Sequence, residues 1–143
     1  GFIYDAYNYK YGKGGMKTLK TLMRMSSKVG AVYAAIIRHE GDYWKICESV
    51  GFDMEMHGWK LPYGKGGALE WDQNLRSLVY YQLGTPEADE GIPAELLNKQ
   101  MKAHIKAVVL VPTVFEGRKD VIFLGLKKPV DDIRDFIRTL DKL

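Results

Sequence analysis

Few side chains in this sequence could take part in ligand binding or catalysis, and His104 is the foremost of them. In the helical repeat of residues 94–106 it shares one face with Leu97, Met101 and Ile105. From that face an imidazole could hold a haem iron or another ligand. The competing interpretation is a core histidine hydrogen-bonded to a backbone carbonyl, and we favour it because an apolar helix face is normally packed into the core.

Cys47 is the only cysteine of the 143 residues. A small secreted domain normally carries an even set of cysteines for disulfides, so we expect a cytoplasmic location. A lone thiol also cannot carry out chemistry that cycles several cysteines through a disulfide.

Three segments of the sequence are close to known catalytic motifs, but each lacks a required residue. His39-Glu40 is followed at position 43 by a tyrosine, where a zinc protease needs histidine. Residues 47–51 lack the first glycine of a nucleophile elbow. Residues 14–18 carry Met16 where a phosphate-binding loop needs glycine directly before its lysine. The sequence therefore predicts no catalytic residue, no metal site and no enzymatic activity.

The composition is that of one folded globular domain, with 46% hydrophobic and 27% charged residues. The formal net charge of +3 is too small to indicate a nucleic-acid partner. The longest apolar run, Ala31–Ile37, is far shorter than the ~20 residues of a membrane helix. We therefore expect no membrane contact. Because the sequence begins at Gly1 rather than at a methionine, we also expect it to be part of a larger protein.

Two hairpins are the clearest elements of the sequence. Ala31–Arg38 reads as a strand covered on both faces, and Tyr43–Val50 as its partner, with Trp44, Ile46 and Val50 on one face. The second hairpin joins residues 107–115 to residues 120–126. Pro112 has no backbone N–H to donate to a neighbouring strand. It therefore predicts that the strand of residues 107–115 is an edge strand or contains a bulge.

Amphipathic periodicity predicts three helices. They cover Met16–Val29, Ala94–Lys106 and a final segment opened by Pro129, with Asp131 and Asp132 near its N-terminus. Helices separated from antiparallel strands indicate an α+β fold with helices packed on the faces of a sheet.

The remaining segments give weaker signals. We predict a short strand around Met54–Trp59, a short helix over Gly67–Arg76, a β-like segment at Ser77–Leu83 and a loop over Gly84–Pro93. Residues 1–15 could form an edge strand or an ordered arm, which leaves residues 16–143 as the domain proper.

From about Lys17 to Leu143 the order of these segments resembles the GAF domain family. The resemblance is carried by His104–Pro112 with Val121–Leu126, by the turn Leu61–Gly67 and by the opening hairpin Ala31–Gly51. It implies a central antiparallel sheet of the PAS-like or profilin-like kind. It further implies that the two terminal helices cover one face of this sheet, and that a ligand pocket lies on the other.

The resemblance also implies a function and a site. Such domains act as small-molecule sensors within larger signalling proteins, whose effector domain lies in the same polypeptide. Trp71 and Tyr80 fall where the family places pocket walls, and Met101 and His104 fall in the segment that would line the pocket. A cyclic nucleotide is one candidate ligand, and no cofactor is identified. A bilin is disfavoured because Cys47 lies outside the middle segment.

Dimerisation is the expected route to an output. Apolar stripes on the first and last helices could form a homodimeric helical bundle, or could simply cover the sheet. They comprise Leu19, Leu22, Met23, Ile133, Ile137 and Leu140. Two alternatives to a ligand sensor remain: a ligand-free dimerisation module, and a haem or redox sensor that uses His104 or Cys47.

Overall fold

The computed structural model describes residues 3–4, 24, 26–40, 43–51, 60–62, 78–92, 99–115 and 118–141. Within these residues seven strands form one antiparallel sheet in the order β1-β5-β6-β7-β2-β3-β4. They are β1 (Ile3–Tyr4), β2 (Ala31–Glu40), β3 (Tyr43–Val50), β4 (Lys60–Pro62), β5 (Leu78–Gln82), β6 (Ala107–Phe115) and β7 (Arg118–Leu126). The predicted α+β class is confirmed.

The described helices are short. Residues 24 and 26–29 are helical and lead into β2, α1 covers Pro86–Gly91, α2 covers Lys99–His104 and α3 covers Ile133–Asp141. No helix of this described part of the chain is long and apolar enough to cross a membrane.

The two predicted hairpins lie in one layer. Strand β2 pairs with β3 on one side and with β7 on the other, with Ile36 opposite Ile122. Strand β7 in turn pairs with β6 along its whole length. Strand β6 pairs with β5 only through residues 107–110. Pro112 lies beyond this paired part, so its missing N–H removes no described hydrogen bond between β6 and β5.

Each face of the sheet carries its own apolar cluster. One contains Val29 from the first helical segment and Phe136, Ile137 and Leu140 from α3, packed on Ala34 and other sheet residues. The opposite cluster takes Ala88 and Ile92 from α1, Ile105, and sheet residues that include Tyr33 and Phe123. The structure therefore confirms that both terminal segments cover the same face.

Strand β3 departs from the predicted alternation at Cys47. Ile36 pairs with Glu48 and Ile37 pairs with Ile46, so Cys47 is an extra residue, a β-bulge. The bulge reverses the alternation beyond it, which places Val50 in the terminal-helix cluster and Trp44 and Ile46 in the other. The prediction of one common face for these three residues is wrong for this reason.

The helix boundaries also differ from those predicted. The segment Gly84–Pro93, predicted to be a loop, contains α1, and Thr85 is the N-cap of this helix. Helix α3 begins at Ile133 rather than Pro129, because Asp132 acts as its N-cap by accepting hydrogen bonds from the amides of Arg134 and Asp135. Helix α2 ends at His104, two residues earlier than predicted.

Several predictions fall on residues outside the described ranges. They are the strand at 54–59, the helix at 67–76, and the first helix over residues 16–23 with Leu19, Leu22 and Met23. The β-like segment at 77–83 is confirmed as β5. Of the two alternatives for residues 1–15, an edge strand is observed at Ile3–Tyr4, where it pairs with Leu78 and Val79.

Candidate functional site

A cavity of about 550 Å³ lies on the sheet face opposite the terminal helices. It opens between α1 and the end of α2, and we call it the α1 cavity. Its lining consists of Leu83, Gly84, Ala88, Asp89, Ile92, Lys102, Ile105 and Lys106. Ala88, Ile92 and Ile105 are buried and form an apolar floor, whereas Asp89, Lys102 and Lys106 are exposed at its rim.

Helix α1 is fixed beside this cavity by its two ends. At the start, the Thr85 hydroxyl accepts from the Ala88 amide at 3.3 Å and donates to the Gln82 carbonyl at 2.7 Å. At the end, Gly91 packs on the ring of Tyr81 so closely that a Cβ at this position would overlap the Tyr81 hydroxyl. Burial of the Tyr81 hydroxyl raises its pKa.

The floor of the cavity depends on a second close approach. The side chain of Ile105 lies over Gly125 of β7, where a Cβ would come within 2.5 Å of Ile105 Cδ1. Tyr33, which pairs with Gly125 across the sheet, meets the ring of Phe123 edge-on at a centroid distance of 5.8 Å. A glycine at position 125 therefore lets Ile105 reach the sheet.

Backbone hydrogen bonds join the cavity to the segment that leads into α3. The Leu83 amide donates to the Lys106 carbonyl at 3.0 Å, and the Lys106 amide donates to the Leu126 carbonyl at 2.8 Å. In β5, the Tyr80 hydroxyl accepts a hydrogen bond from the Val130 amide at 3.0 Å. We call residues 126–132 the α3 connection, since they run from the end of β7 to the N-cap of α3.

The residues predicted to bind a ligand are not all brought together. Tyr80 belongs to the cluster on the terminal-helix face, so it and the α1 cavity lie on opposite faces of the sheet. Trp71 and the side chain of Met101 lie outside the described residues. A ligand-binding role for these residues stays a prediction.

His104 is exposed at the last position of α2, whereas the next residue, Ile105, is buried. The prediction that both share one buried helix face is wrong, because the helix ends at His104 and the chain turns Ile105 alone into the core. The interpretation of His104 as a core histidine is wrong for the same reason.

The apolar stripe of the last helix divides in a similar way. Ile137 and Leu140 are buried against the sheet, and Ile133 is half-buried. Covering the sheet, one of the two roles considered for this stripe, is thus observed for Ile137 and Leu140. The homodimer itself stays a prediction.

A second cavity lies on the terminal-helix face, and we call it the α3 cleft. Its volume is about 560 Å³, and it lies between the end of the first helical segment, the α3 connection and α3. It is lined by Lys28, Val29, Gly30, Val32, Leu126, Lys127, Lys128, Pro129, Val130, Asp131, Asp132, Asp135, Phe136 and Thr139.

Arg38 and Asp120 form an ion pair that no sequence pattern indicates. These cross-strand neighbours of β2 and β7 are joined by two hydrogen bonds, Arg38 Nε to Asp120 Oδ1 at 2.9 Å and a second nitrogen to Oδ2 at 3.1 Å. Asp120 is 1% exposed and Arg38 is 21% exposed. The hydrogen bond to Asp120 raises the pKa of Arg38.

Cys47 lies on the bulge near this pair. Burial raises the pKa of its thiol, and the charge of Arg38 offsets part of the rise. A raised pKa lowers the thiolate fraction at neutral pH, which is the opposite of what a reactive cysteine requires. Within the described residues, no group of three or more histidine, cysteine or acidic side chains could hold a metal ion.

Comparisons with known proteins show what the fold resembles. No protein-family model matches the chain. No curated protein matches it either. Among solved structures, the GAF domain of a two-component sensor histidine kinase from Bacillus halodurans matches with a TM-score of 0.62 and 14% identity. The match covers 89% of this chain and 88% of that one.

Two further structures agree. The GAF domain of a phosphoenolpyruvate-protein phosphotransferase from Acinetobacter matches with a TM-score of 0.60 and 16% identity, over 84% of this chain and 72% of that one. The NreA protein of Staphylococcus aureus, in a form mutated in its nitrate binding site, matches with a TM-score of 0.56 and 18% identity, over 83% and 95%. The chain therefore has the fold of a GAF domain, and similarity at this level does not identify a ligand.

Proposed function

We propose that this GAF-type domain is a regulatory small-molecule sensor of a larger signal-transduction protein, and that the α1 cavity binds its ligand. The observation that carries the proposal is the cavity itself, an apolar hollow with charged groups at its rim. Its volume of about 550 Å³ is within the roughly 300–1,000 Å³ of small-molecule sites. The incomplete catalytic motifs support binding rather than catalysis, and the single cysteine supports a cytoplasmic location.

The lining indicates the chemistry of the ligand. Ala88, Ile92 and Ile105 offer an apolar surface, and Lys102 and Lys106 offer two positive charges on the α2 side. A small molecule with an apolar or planar body and an anionic group suits this arrangement. A cyclic nucleotide, the candidate named from the sequence, has both features. Nitrate, for which the similar NreA protein has a binding site, supplies the anion alone.

The hydrogen bonds at Lys106 offer a route from the cavity to the output. Lys106 lines the cavity, and its amide holds the Leu126 carbonyl at the start of the α3 connection. A ligand that binds one position of Lys106 more tightly than another would shift the population of the α3 connection and of α3. We propose that the terminal helices pass this shift to an effector domain in the same polypeptide.

Thermal unfolding of the purified protein with candidate probes tests the proposal. Nitrate, cyclic AMP and cyclic GMP are added separately, after native mass spectrometry has shown whether a small molecule is already retained. A ligand at one hundred times its Kd stabilises the folded state by about 2.7 kcal/mol, which raises the Tm of a domain of this size by about 5–10 °C.

Charge reversal then localises the binding. Lys102→Glu/Lys106→Glu is expected to abolish the ligand-induced shift while leaving the Tm without ligand nearly unchanged, because both side chains are exposed. Arg134→Glu, an exposed residue of α3 outside both cavities, is the control and should respond as the wild type does. A shift that survives the lysine reversal would place the ligand elsewhere.

The same preparation separates the alternatives. A Soret band in the absorbance spectrum would favour the haem sensor. A protein that retains no small molecule and that none of the probes stabilises would contradict the ligand sensor and favour the ligand-free dimerisation module.

A further inference from the structure

We propose that the α1 cavity selects a zwitterion, an apolar molecule that carries one ammonium and one carboxylate group, as a free amino acid with an apolar side chain does. The inference rests on the proposed function and narrows its ligand from an anion to a molecule with both charges. Asp89 makes the difference, because it places a negative charge on the rim that also holds Lys102 and Lys106.

The topology of the sheet brings the two signs of charge to the two sides of this cavity. Helix α1 follows β5 and α2 precedes β6, and these strands are antiparallel neighbours with Gln82 opposite Ala107. Both helices therefore adjoin the same end of adjacent strands, where the Leu83 amide donates to the Lys106 carbonyl. Asp89 lies on the α1 side, and the two lysines lie on the α2 side.

The charges around the cavity do not neutralise one another. Asp89, Lys102 and Lys106 make no ion pair with any residue that the structure describes. All three are exposed at the rim, while the floor between them is apolar. The rim therefore offers one acid and two bases to a molecule that enters the cavity.

Glu87 separates the role of Asp89 in the cavity from a role in the helix. Both acids lie in the first turn of α1, where a negative charge interacts favourably with the helix dipole. Both are exposed, but only Asp89 lines the cavity. Glu87 is therefore the matched position for a control.

A ligand with both charges is complementary to this rim, whereas a ligand with one charge is not. Lys102 and Lys106 can donate to a carboxylate, but Asp89 repels a simple anion. An ammonium group that donates to Asp89 turns this repulsion into attraction, while the apolar body of the ligand covers the floor. Because the two charges are bound from different sides of the cavity, they also fix the orientation of the ligand.

Isothermal titration calorimetry with three matched compounds tests the proposal. Phenylalanine carries both charges, hydrocinnamate lacks the ammonium group, and phenethylamine lacks the carboxylate. Phenylalanine is expected to bind about tenfold more tightly than either analogue, because it alone makes charge-assisted hydrogen bonds on both sides of the rim.

Two variants then assign the ammonium group to Asp89. Asp89→Asn should lower the affinity for phenylalanine by about tenfold, and should leave that for hydrocinnamate equal or higher, since the repulsion of the anion is removed. Glu87→Gln removes the same charge from the same turn of α1 and should bind all three compounds as the wild type does. Circular dichroism verifies that both variants are folded.

Equal affinities for phenylalanine and hydrocinnamate would overturn the zwitterion and leave an anion sensor in place. An equal loss of phenylalanine binding in Asp89→Asn and Glu87→Gln would also overturn it, because a general effect of charge would then explain the preference. A protein that binds none of the three compounds would overturn it as well. Stabilisation by nitrate or a cyclic nucleotide would in that case show that the sensor function itself stands.

Discussion

At the scale of single residues, the floor of the α1 cavity depends on Gly125. An alanine there would bring a methyl group within 2.5 Å of Ile105 Cδ1 and within 3.3 Å of Tyr33 Cβ, all in a buried cluster. We expect Gly125→Ala to lower the free energy of unfolding by about 1–3 kcal/mol through overpacking. Urea denaturation measures the loss.

Ile105→Val provides the matched test, because it removes the Cδ1 atom that the new methyl group would strike. Alone it should cost about 0.5–1.5 kcal/mol. Combined with Gly125→Ala, it should cost less than the sum of the two single changes. Simple additivity would show that the strain arises elsewhere.

Tyr33 gives the domain a predicted sensitivity to alkali. Burial raises the pKa of its hydroxyl from 10.0 to about 12, and a hydrogen bond with Ser49 offsets part of the rise. In the unfolded chain the phenol ionises near pH 10, so unfolding releases a proton between pH 10 and about pH 12. The free energy of unfolding should therefore fall as the pH rises through this window.

The size of the fall is about 2 kcal/mol between pH 9 and pH 11.5. Urea denaturation at these two values compares the wild type with Tyr33→Phe, which has no ionisable group at this position. Only the difference between the two proteins is attributed to Tyr33, because other groups also titrate in alkali. An equal fall in both proteins would contradict the assignment.

Two single residues show what sequence patterns alone do not reveal. The alternation of β3 predicts Trp44, Ile46 and Val50 on a common face, but nothing in the residue types marks Cys47 as a bulge, and Val50 lies on the opposite face. The helical period places His104 on a buried face, and the structure exposes it, because periodicity does not show where a helix ends.

At the scale of elements, local signals predicted the hairpins and missed α1. Both hairpins have long apolar strands bounded by polar turns, and in the sheet the two strands of each hairpin pair with each other as predicted. Helix α1 has six residues, too few for a helical period to be recognised. Its signal was a capping one, Thr85 followed by Pro86 at the first helical position, with Glu87 and Asp89 in the first turn. Since α1 forms one wall of the cavity, most of the candidate site could not be predicted.

Tyr80 connects two elements, and its hydroxyl is expected to stabilise the path from β5 to α3. Tyr80→Phe keeps the ring but removes the acceptor of the Val130 amide. We expect the free energy of unfolding to fall by about 0.5–1.5 kcal/mol. We also expect faster hydrogen exchange at the Val130 amide, which an NMR exchange experiment measures.

Tyr81→Phe is the control for this change. It removes the hydroxyl of the adjacent residue, which lies on the opposite face and makes no hydrogen bond with the described residues. The Val130 amide should exchange at the wild-type rate in this variant. Equal protection of that amide in the wild type and in Tyr80→Phe would show that the hydroxyl does not hold the α3 connection.

At the scale of the whole molecule, the sheet is completed where β2 meets β7. The alternation within each hairpin does not reveal which of its strands faces the other hairpin. The resemblance to GAF domains predicted one common sheet, and the register, with Ile36 opposite Ile122 and Arg38 opposite Asp120, became visible only in the structure. A long-range pairing of this kind has no local sequence signal, since it depends on residues more than eighty positions apart.

The ion pair of Arg38 and Asp120 lies at this junction, so its replacement tests how the two halves of the chain are held together. Asp120→Asn removes the charge that faces a half-buried guanidinium, and we expect a loss of about 1–3 kcal/mol in the free energy of unfolding. The double change Arg38→Met/Asp120→Leu removes both charges and fills the space with apolar groups. It should recover most of that loss, because a buried pair contributes little beyond the desolvation of its own charges. Urea denaturation of the wild type, the single variant and the double variant gives the comparison. If the double variant is instead less stable than Asp120→Asn, the pair contributes stability that packing cannot replace, and the junction of the two hairpins depends on a polar contact rather than on the apolar strands around it.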